Sequence, residues 1–129
     1  MWDIEDTGYD IAELEEILRK NLFYEELPSD ESSIIIKKRY QPGIVEINYK
    51  TSSPRLDMSF VVNFGAGKSY EGDFEVYPQF KGYGTKLVKA REEFCKDIGI
   101  EQVILSNVDR NAKGFWEKMG YVNNSKRLS

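Results

Sequence analysis

Apolar residues recur every three or four positions near the start of the chain, at Ile11, Leu14, Leu18 and Leu22. This spacing places them on one face of an amphipathic helix. Asp10 directly precedes this stripe, and Glu13 is three residues after Asp10. This pairing is typical of a capping box at a helix N-terminus. The pattern therefore predicts a first helix over about residues 10–22, which ends before a loop at Pro28.

The next part of the chain alternates between strand-forming runs and turn residues. β-Branched and aromatic residues are concentrated at 34–36, 44–49 and 56–64, and runs of this composition between turns are typical of strands. Gly65 to Gly67 then breaks the pattern, and a short run at 74–77 stops at Pro78. We expect three antiparallel strands in succession, followed by a short fourth strand.

Helical spacing returns after Gly84, with apolar residues on one face at Leu87, Val88, Phe94, Cys95 and Ile98. This second helix should end near Gly99. Residues 102–106 read as a strand, and residues 112–119 as a short helix closed by Gly120, a typical C-terminal cap. Tyr121 and Val122 are expected to start a last strand.

The order of these elements predicts an α/β (α+β) fold with three helices. Two strands that are joined by a helix become parallel neighbours in a sheet. We therefore expect a single domain over residues 1–129, whose mixed sheet is antiparallel in its first half and contains one parallel strand pair in its second half. A chain of this length has room for one core.

Composition excludes several kinds of chemistry. The chain has no histidine, which removes the Ser-His-Asp scheme and most zinc sites. The single Cys95 excludes an internal disulfide, and its place on the apolar helix face indicates a core residue rather than a nucleophile. We expect no metal.

Charge and hydropathy bear on partners. Residues 1–31 carry 11 acids and 2 bases, hence −9, whereas the rest carries 11 acids and 16 bases, hence +5, so that the net charge is −4. An acidic chain without a base-stacking motif argues against nucleic-acid binding. No apolar run reaches the ~20 residues of a membrane span, and the acidic N-terminus is unlike a signal peptide. We therefore expect a cytoplasmic protein, either a monomer or a homodimer.

A glycine-containing loop joins the fourth predicted strand to the second helix. Backbone N–H groups at a helix N-terminus lack partners and attract anions, and Lys81 and Lys86 add positive charge. The segment therefore predicts a phosphate site, although an ordinary strand-to-helix turn fits it too. A dinucleotide fingerprint fails because Leu87 replaces its third glycine, and a P-loop fails because Val62 replaces its first.

Two blocks of sequence resemble the GNAT superfamily of N-acetyltransferases. Gln79-x-x-Gly82-x-Gly84 is similar to that family's coenzyme A signature, and the run from Asn111 to Tyr121 is similar to its later motif. An alternative alignment places Lys81, instead of Gln79, at the first position of the coenzyme A signature. The resemblance covers residues 74–122 and assigns the cofactor-binding core to about 69–122.

The resemblance implies that the two parallel strands splay apart and that acetyl-CoA lies between them. The pyrophosphate would then rest on the amides of residues 81–85, the pantetheine arm would pair with the backbone of residues 75–77, and the N–H near Val76 would polarise the thioester carbonyl. The implied cofactor-binding residues are Val76, Tyr77, Gln79, Phe80, Lys81, Gly82, Tyr83, Gly84, Thr85, Asn107, Asn111 and Trp116.

The resemblance also implies acetyl transfer to a primary amine by direct attack in a ternary complex. Without histidine, a carboxylate or water must take the amine's proton; Glu75 is the first candidate and Asp73, on the same strand face, the second. Many relatives have tyrosine where this chain has Trp116, which is no useful acid. Tyr121 or water is then expected to protonate the leaving thiolate.

The first helix and its following loop usually form a wall of the acceptor site in this family. Here that region contains Glu25, Glu26, Asp30 and Glu31, which favours a cationic acceptor. Relative to the family, the first strand is expected to be missing or short and the last strand pair truncated. Two alternatives stay open, namely a non-catalytic acyl-CoA sensor and an interaction module that retains only the fold.

Overall fold

A computed structural model describes residues 8–30, 33–79, 81–106 and 108–128. The elements in chain order are α1 (Ile11–Tyr24), β1 (Ser33–Lys38), β2 (Ile44–Ser52), β3 (Arg55–Asn63), β4 (Lys68–Tyr77), α2 (Tyr83–Asp97), β5 (Gln102–Ile104), α3 (Lys113–Lys118) and β6 (Ser125–Arg127).

Six strands of the described chain form one mixed sheet in the order β1-β2-β3-β4-β5-β6. Neighbouring strands are antiparallel except β4 and β5, which are parallel. Helix α2 makes the crossover between these two strands, as the connection rule requires. The predicted fold class is confirmed.

The start of α1 follows from its capping residue. The Asp10 side chain accepts a hydrogen bond from the Glu13 amide at 2.7 Å, which satisfies one of the amides that a helix leaves unpaired. Leu14, Leu18 and Leu22 are fully buried, as their spacing predicts. The helix continues two residues further than predicted, to Tyr24.

The core lies between α1, α2 and one face of the sheet. Alternate residues of β2 and β3 are buried there: Val45, Ile47, Tyr49, Leu56, Met58, Phe60 and Val62. Helix α2 contributes Cys95, whose burial raises the pKa of its thiol to about 11, so the thiol is protonated at neutral pH. Cys95 is thus a core residue, as its helical position predicts.

Several strand boundaries also differ from the sequence-based expectation. Strand β4 begins at Lys68 rather than at residue 74. Ser69 and Glu71 occupy buried positions in its first half, so that this half lacks the apolar alternation from which a strand is predicted. Strand β5 ends at Ile104 rather than at residue 106. The last strand starts only at Ser125, after a tight turn in which Asn123 and Asn124 both have positive φ.

Strand β4 contains one extra residue opposite β3. Met58 pairs with Phe74 but Phe60 pairs with Glu71, so that Gly72 and Asp73 together face Ser59, which is the arrangement of a β-bulge. The Ser59 Oγ accepts a hydrogen bond from the Asp73 amide at 2.8 Å. A Cβ at Gly72 would lie 2.6 Å from that oxygen. The bulge therefore requires glycine at this position.

Replacing Gly72 with alanine should lower the free energy of unfolding by about 1–3 kcal/mol, because the new methyl group collides with the Ser59 side chain. Urea unfolding measures this change. The double variant Gly72→Ala/Ser59→Ala should regain part of the loss. Gly114→Ala is the control, since its Cβ meets no atom within 4 Å and alanine favours the α3 helix. Wild-type stability in Gly72→Ala would contradict this account of the bulge.

Candidate active site

Strands β4 and β5 run together for three residue pairs and then separate. Their pairing extends from Lys68 with Gln102 to Tyr70 with Ile104, whereas the pairing of β4 with β3 continues to Tyr77. Within the described residues, no strand pairs with the other edge of β4 beyond Tyr70. The splayed parallel pair implied by the sequence resemblance is present.

A cleft of about 1130 Å³ lies where the two strands separate. One wall is β4 itself, and the others are the first turn of α2, the residues after β5 and the segment that leads into α3. The start of β3 contributes Arg55 to the lining. Strand β4 and the loop after it contribute Glu71, Gly72, Asp73, Phe74, Glu75, Val76, Tyr77 and Gln79. The others are Gly82, Gly84, Thr85, Leu105, Ser106, Val108, Asp109, Asn111, Ala112, Phe115 and Trp116.

The first turn of α2 lies against this cleft, since Gly82, Gly84 and Thr85 line it. Gly82 is the N-cap with φ of +82°, and no side chain of the described residues caps the helix. The first amide bonded back into the turn is that of Lys86, which donates to the Gly82 carbonyl. Because a helix leaves its earliest amides without intrahelical partners, those of residues 83–85 are available to an anion. This geometry fits a diphosphate.

Gly84 lies against α3. A Cβ at Gly84 would be 3.4 Å from the Phe115 ring, an ordinary van der Waals distance, so this turn contacts the wall of the cleft that α3 forms. Lys86 extends to Glu26, with 3.8 Å between its Nζ and the Glu26 Oε2. The α1 C-terminus therefore lies beside the predicted phosphate site rather than inside the cleft.

Four aromatic rings pack together at the inner end of the cleft. The Trp116 centroid lies 5.3 Å from that of Phe74, 5.0 Å from that of Phe115 and 5.1 Å from that of Tyr121. Edge-to-face packing at these distances fixes ring orientation. Trp116 is only 7% exposed.

A buried charged network joins β4, α2 and β6 behind these rings. Arg91 is fully buried and forms a salt bridge with Glu71, and its Nη2 donates to the Tyr121 hydroxyl at 2.9 Å. That hydroxyl donates to Glu92 at 2.8 Å, and Glu92 also accepts from Lys126 at 2.8 Å. The network fixes α2 against the strand where the sheet separates.

Sequence reasoning missed this network, although a signal for it exists. Arg91 stands three residues after Val88 and four before Cys95, on the apolar stripe of α2 itself. A charged residue on a buried stripe needs an opposite charge, and Glu71 supplies it. An arginine at that spacing therefore predicts a buried acidic partner, without indicating which one.

The predicted catalytic residues lie in very different surroundings. The Glu75 side chain lines the cleft, is 67% exposed, and lies 3.9 Å from the Arg55 guanidinium. Asp73 lines the cleft too and is exposed. Tyr121 is buried, and its burial raises its pKa above the usual range. Because its hydroxyl is bonded to Arg91 and Glu92, an acid role for Tyr121 would first require this network to break.

The cleft brings together many, but not all, of the predicted cofactor residues. Val76, Tyr77, Gln79, Gly82, Gly84, Thr85, Asn111 and Trp116 line it. Lys81 and Tyr83 belong to the same turn without being part of the lining. Phe80, Asn107 and the predicted acceptor residue Glu31 lie outside the described residues.

The carboxylates that line this cleft differ from those predicted to bound the acceptor site. Glu25 and Glu26 do not line the cleft, because α1 ends beside the first turn of α2. The carboxylates that do line it come from β4 and from the segment after β5: Glu71, Asp73, Glu75 and Asp109. Burial and strand register place them, so their position could not be predicted from charge density along the sequence.

Among the described residues, no group of three or more potential ligand side chains is arranged to hold a metal ion. In the same part of the chain, no helix is long and apolar enough to cross a membrane.

Comparison with known families agrees with the geometry. The profile of the Acetyltransferase (GNAT) family matches residues 43–121, which is more than half of the chain. No curated protein sequence gives a significant match. The chain belongs to the GNAT acetyltransferase family, whose members transfer an acyl group from acyl-CoA and typically use acetyl-CoA.

Proposed function

We propose that this protein transfers an acetyl group from acetyl-CoA to a primary amine by direct attack in a ternary complex. The observation that carries the proposal is the convergence of two features on one cleft. The uncapped first turn of α2 can hold a diphosphate, and the unpaired edge of β4 can hold an extended arm. Coenzyme A requires both.

Each part of the cofactor has a matching part of the cleft. The amides of residues 81–85 bind the diphosphate, helped by the partial positive charge of the helix N-terminus. The backbone of residues 75–77 binds the pantetheine arm as an added strand, because no strand in the described part of the chain pairs with this edge of β4. The Val76 N–H donates to the acyl carbonyl oxygen and stabilises the charge that develops there.

Acetyl-CoA supplies an activated thioester, whose C–S bond is exchanged for the C–N bond of the product amide. The cleft holds both reactants together, which removes much of the entropic barrier. Glu75 accepts the proton that the attacking amine loses, and it is the carboxylate that lies nearest to Val76 along β4. Asp73 is the second candidate for this role.

Departure of the thiolate needs a proton or a hydrogen bond. Trp116 stands at the inner end of the cleft, and its indole N–H can only donate a hydrogen bond. We assign the proton to water, with Tyr121 as the alternative.

A second candidate function follows from the hydrogen bonds of the Tyr121 hydroxyl, which is engaged with Arg91 and Glu92. If no group protonates the thiolate, the chain would bind acyl-CoA as a sensor without turnover.

We further propose a cationic acceptor. Of the four carboxylates that line the cleft, Glu71 is paired with the buried Arg91 and Glu75 lies beside Arg55. Asp73 and Asp109 therefore give the cleft its excess negative charge, although the chain is basic after residue 31. A polyamine, an aminoglycoside or a lysine side chain would be attracted there. In this proposal, Asp73 and Glu75 form the acidic wall of the acceptor site, instead of Glu25, Glu26 and Glu31.

Gly82→Asp should abolish coenzyme A binding, because its carboxylate would stand beside the bound diphosphate. In wild type, acetyl-CoA at ~100-fold above its Kd adds about 2.7 kcal/mol of stability and raises Tm by on the order of 10 °C. Gly99→Asp is a matched control, since Gly99 has the same φ of +82° and the same open surroundings at the other end of α2. An equal thermal shift in both variants would place the diphosphate elsewhere.

Glu75→Gln should lower kcat for amine acetylation by roughly 10²–10³-fold while acetyl-CoA affinity stays within twofold, because only proton removal is lost. Steady-state kinetics and calorimetry measure the two quantities. Asp57→Asn is the control: Asp57 pairs with Glu75 across β3 and β4 but does not line the cleft. Unchanged kcat would exclude Glu75 as the base, and tight binding without turnover in wild type would favour the sensor.

Cationic amines should be acetylated with higher kcat/KM than neutral amines of similar size, and added salt should reduce the difference. Asp73→Asn should reduce the preference several-fold, whereas Glu26→Gln, which removes a carboxylate outside the cleft, should leave it unchanged. A panel of amines assayed at two salt concentrations tests this expectation. The reverse ranking of the two variants would restore the acceptor site to the end of α1.

A further inference from the structure

Trp116 borders two cavities. One is the cleft described above, and the other has a volume of about 540 Å³. Among the described residues, only Trp116 and Val108 line both of them. The second cavity is otherwise lined by Lys113, Glu117, Tyr121, Val122, Asn123 and Asn124. The proposed function gives this space no role.

The acyl group would lie close to the Trp116 ring. In the proposed function the Val76 N–H binds the acyl carbonyl, and Phe74 is two residues earlier on the same strand, about 7 Å away at the rise of a β-strand. The Phe74 and Trp116 rings are in contact, with 5.3 Å between centroids. These rings are therefore the apolar surface that an acyl chain meets first.

The Trp116 ring is held firmly in this place. Beyond its three aromatic neighbours, the Arg91 guanidinium lies 5.9 Å from its centroid. Arg91 is bound to Glu71, and Tyr121 is bound to Arg91 and Glu92. Rotation of the ring would disturb this buried network, whose partners would be costly to leave unpaired. The ring is thus a fixed wall rather than a movable gate.

We propose that Trp116 sets the acyl length that this protein accepts, by separating the cleft from the second cavity and limiting the acyl group to acetyl or propionyl. The inference rests on the proposed function, because it needs a CoA thioester in the cleft. A smaller side chain at residue 116 joins the two cavities. The apolar lining of Val108 and Val122 then receives a longer chain.

The test compares acetyl-CoA, butyryl-CoA and hexanoyl-CoA by calorimetry, with transfer to one amine as a second readout. In wild type, hexanoyl-CoA should bind at least ~10-fold more weakly than acetyl-CoA, because a packed pocket must exclude the added methylenes. Trp116→Ala and Trp116→Leu should bring the two Kd values within about twofold or reverse them. Glu117→Gln is the control, since Glu117 lines only the second cavity and the variant leaves Trp116 in place, and it should keep the wild-type ratio.

The outcomes distinguish failure of this inference from failure of the proposed function on which it rests. Each variant is first checked for folding by its Tm and for an intact cleft by its affinity for free CoA, and Trp116→Leu replaces Trp116→Ala if the latter does not fold. Equal affinity of wild type for all three thioesters would overturn the inference, as would an unchanged ratio in both Trp116 variants that bind CoA. Failure of wild type to bind any CoA compound would overturn the proposed function itself.

Discussion

The extra residue of β4 at Gly72 and Asp73 is the constraint on which the cleft depends. Ser59 fills the space that a side chain at Gly72 would take, so β4 bends there while it remains paired with β3. The bulge also changes the strand's alternation. Glu71 and Phe74 are three residues apart but pair with Phe60 and Met58, and thus share the buried face. One directs its side chain to α2 and the other directs its ring to α3.

The same region of β4 also connects α2 to the sheet at the point where β4 and β5 separate. A strand that separates from its neighbour loses the hydrogen bonds that would fix its position. The salt bridge between Glu71 and Arg91 replaces them with a link to α2, and neither charge can be removed without leaving the other buried. This contact therefore sets the position of the first turn of α2, the proposed diphosphate site, relative to β4.

The sequence was sufficient for the elements that have a clear apolar period. Helices α1 and α2 and strands β2 and β3 lie close to where the spacing predicts them, and the motifs around Gly82 and Asn111 identified the family before the fold was known. The first half of β4 was not predictable, because Ser69 and Glu71 face inward. The sequence also did not indicate which carboxylates line the cleft. Charge density along the chain does not show that α1 ends beside α2 while Asp73 and Glu75 face the opening.

The order of strands in the sheet is also their order along the chain, so each strand pairs with the one that follows it. The hairpins from β1 to β4 join residues that are close in sequence, whereas the pairing of β4 with β5 must wait for the intervening α2 to close a longer loop. Low contact order accelerates folding. We therefore expect the antiparallel half to form first and the parallel pair that opens into the cleft to be assembled on it afterwards.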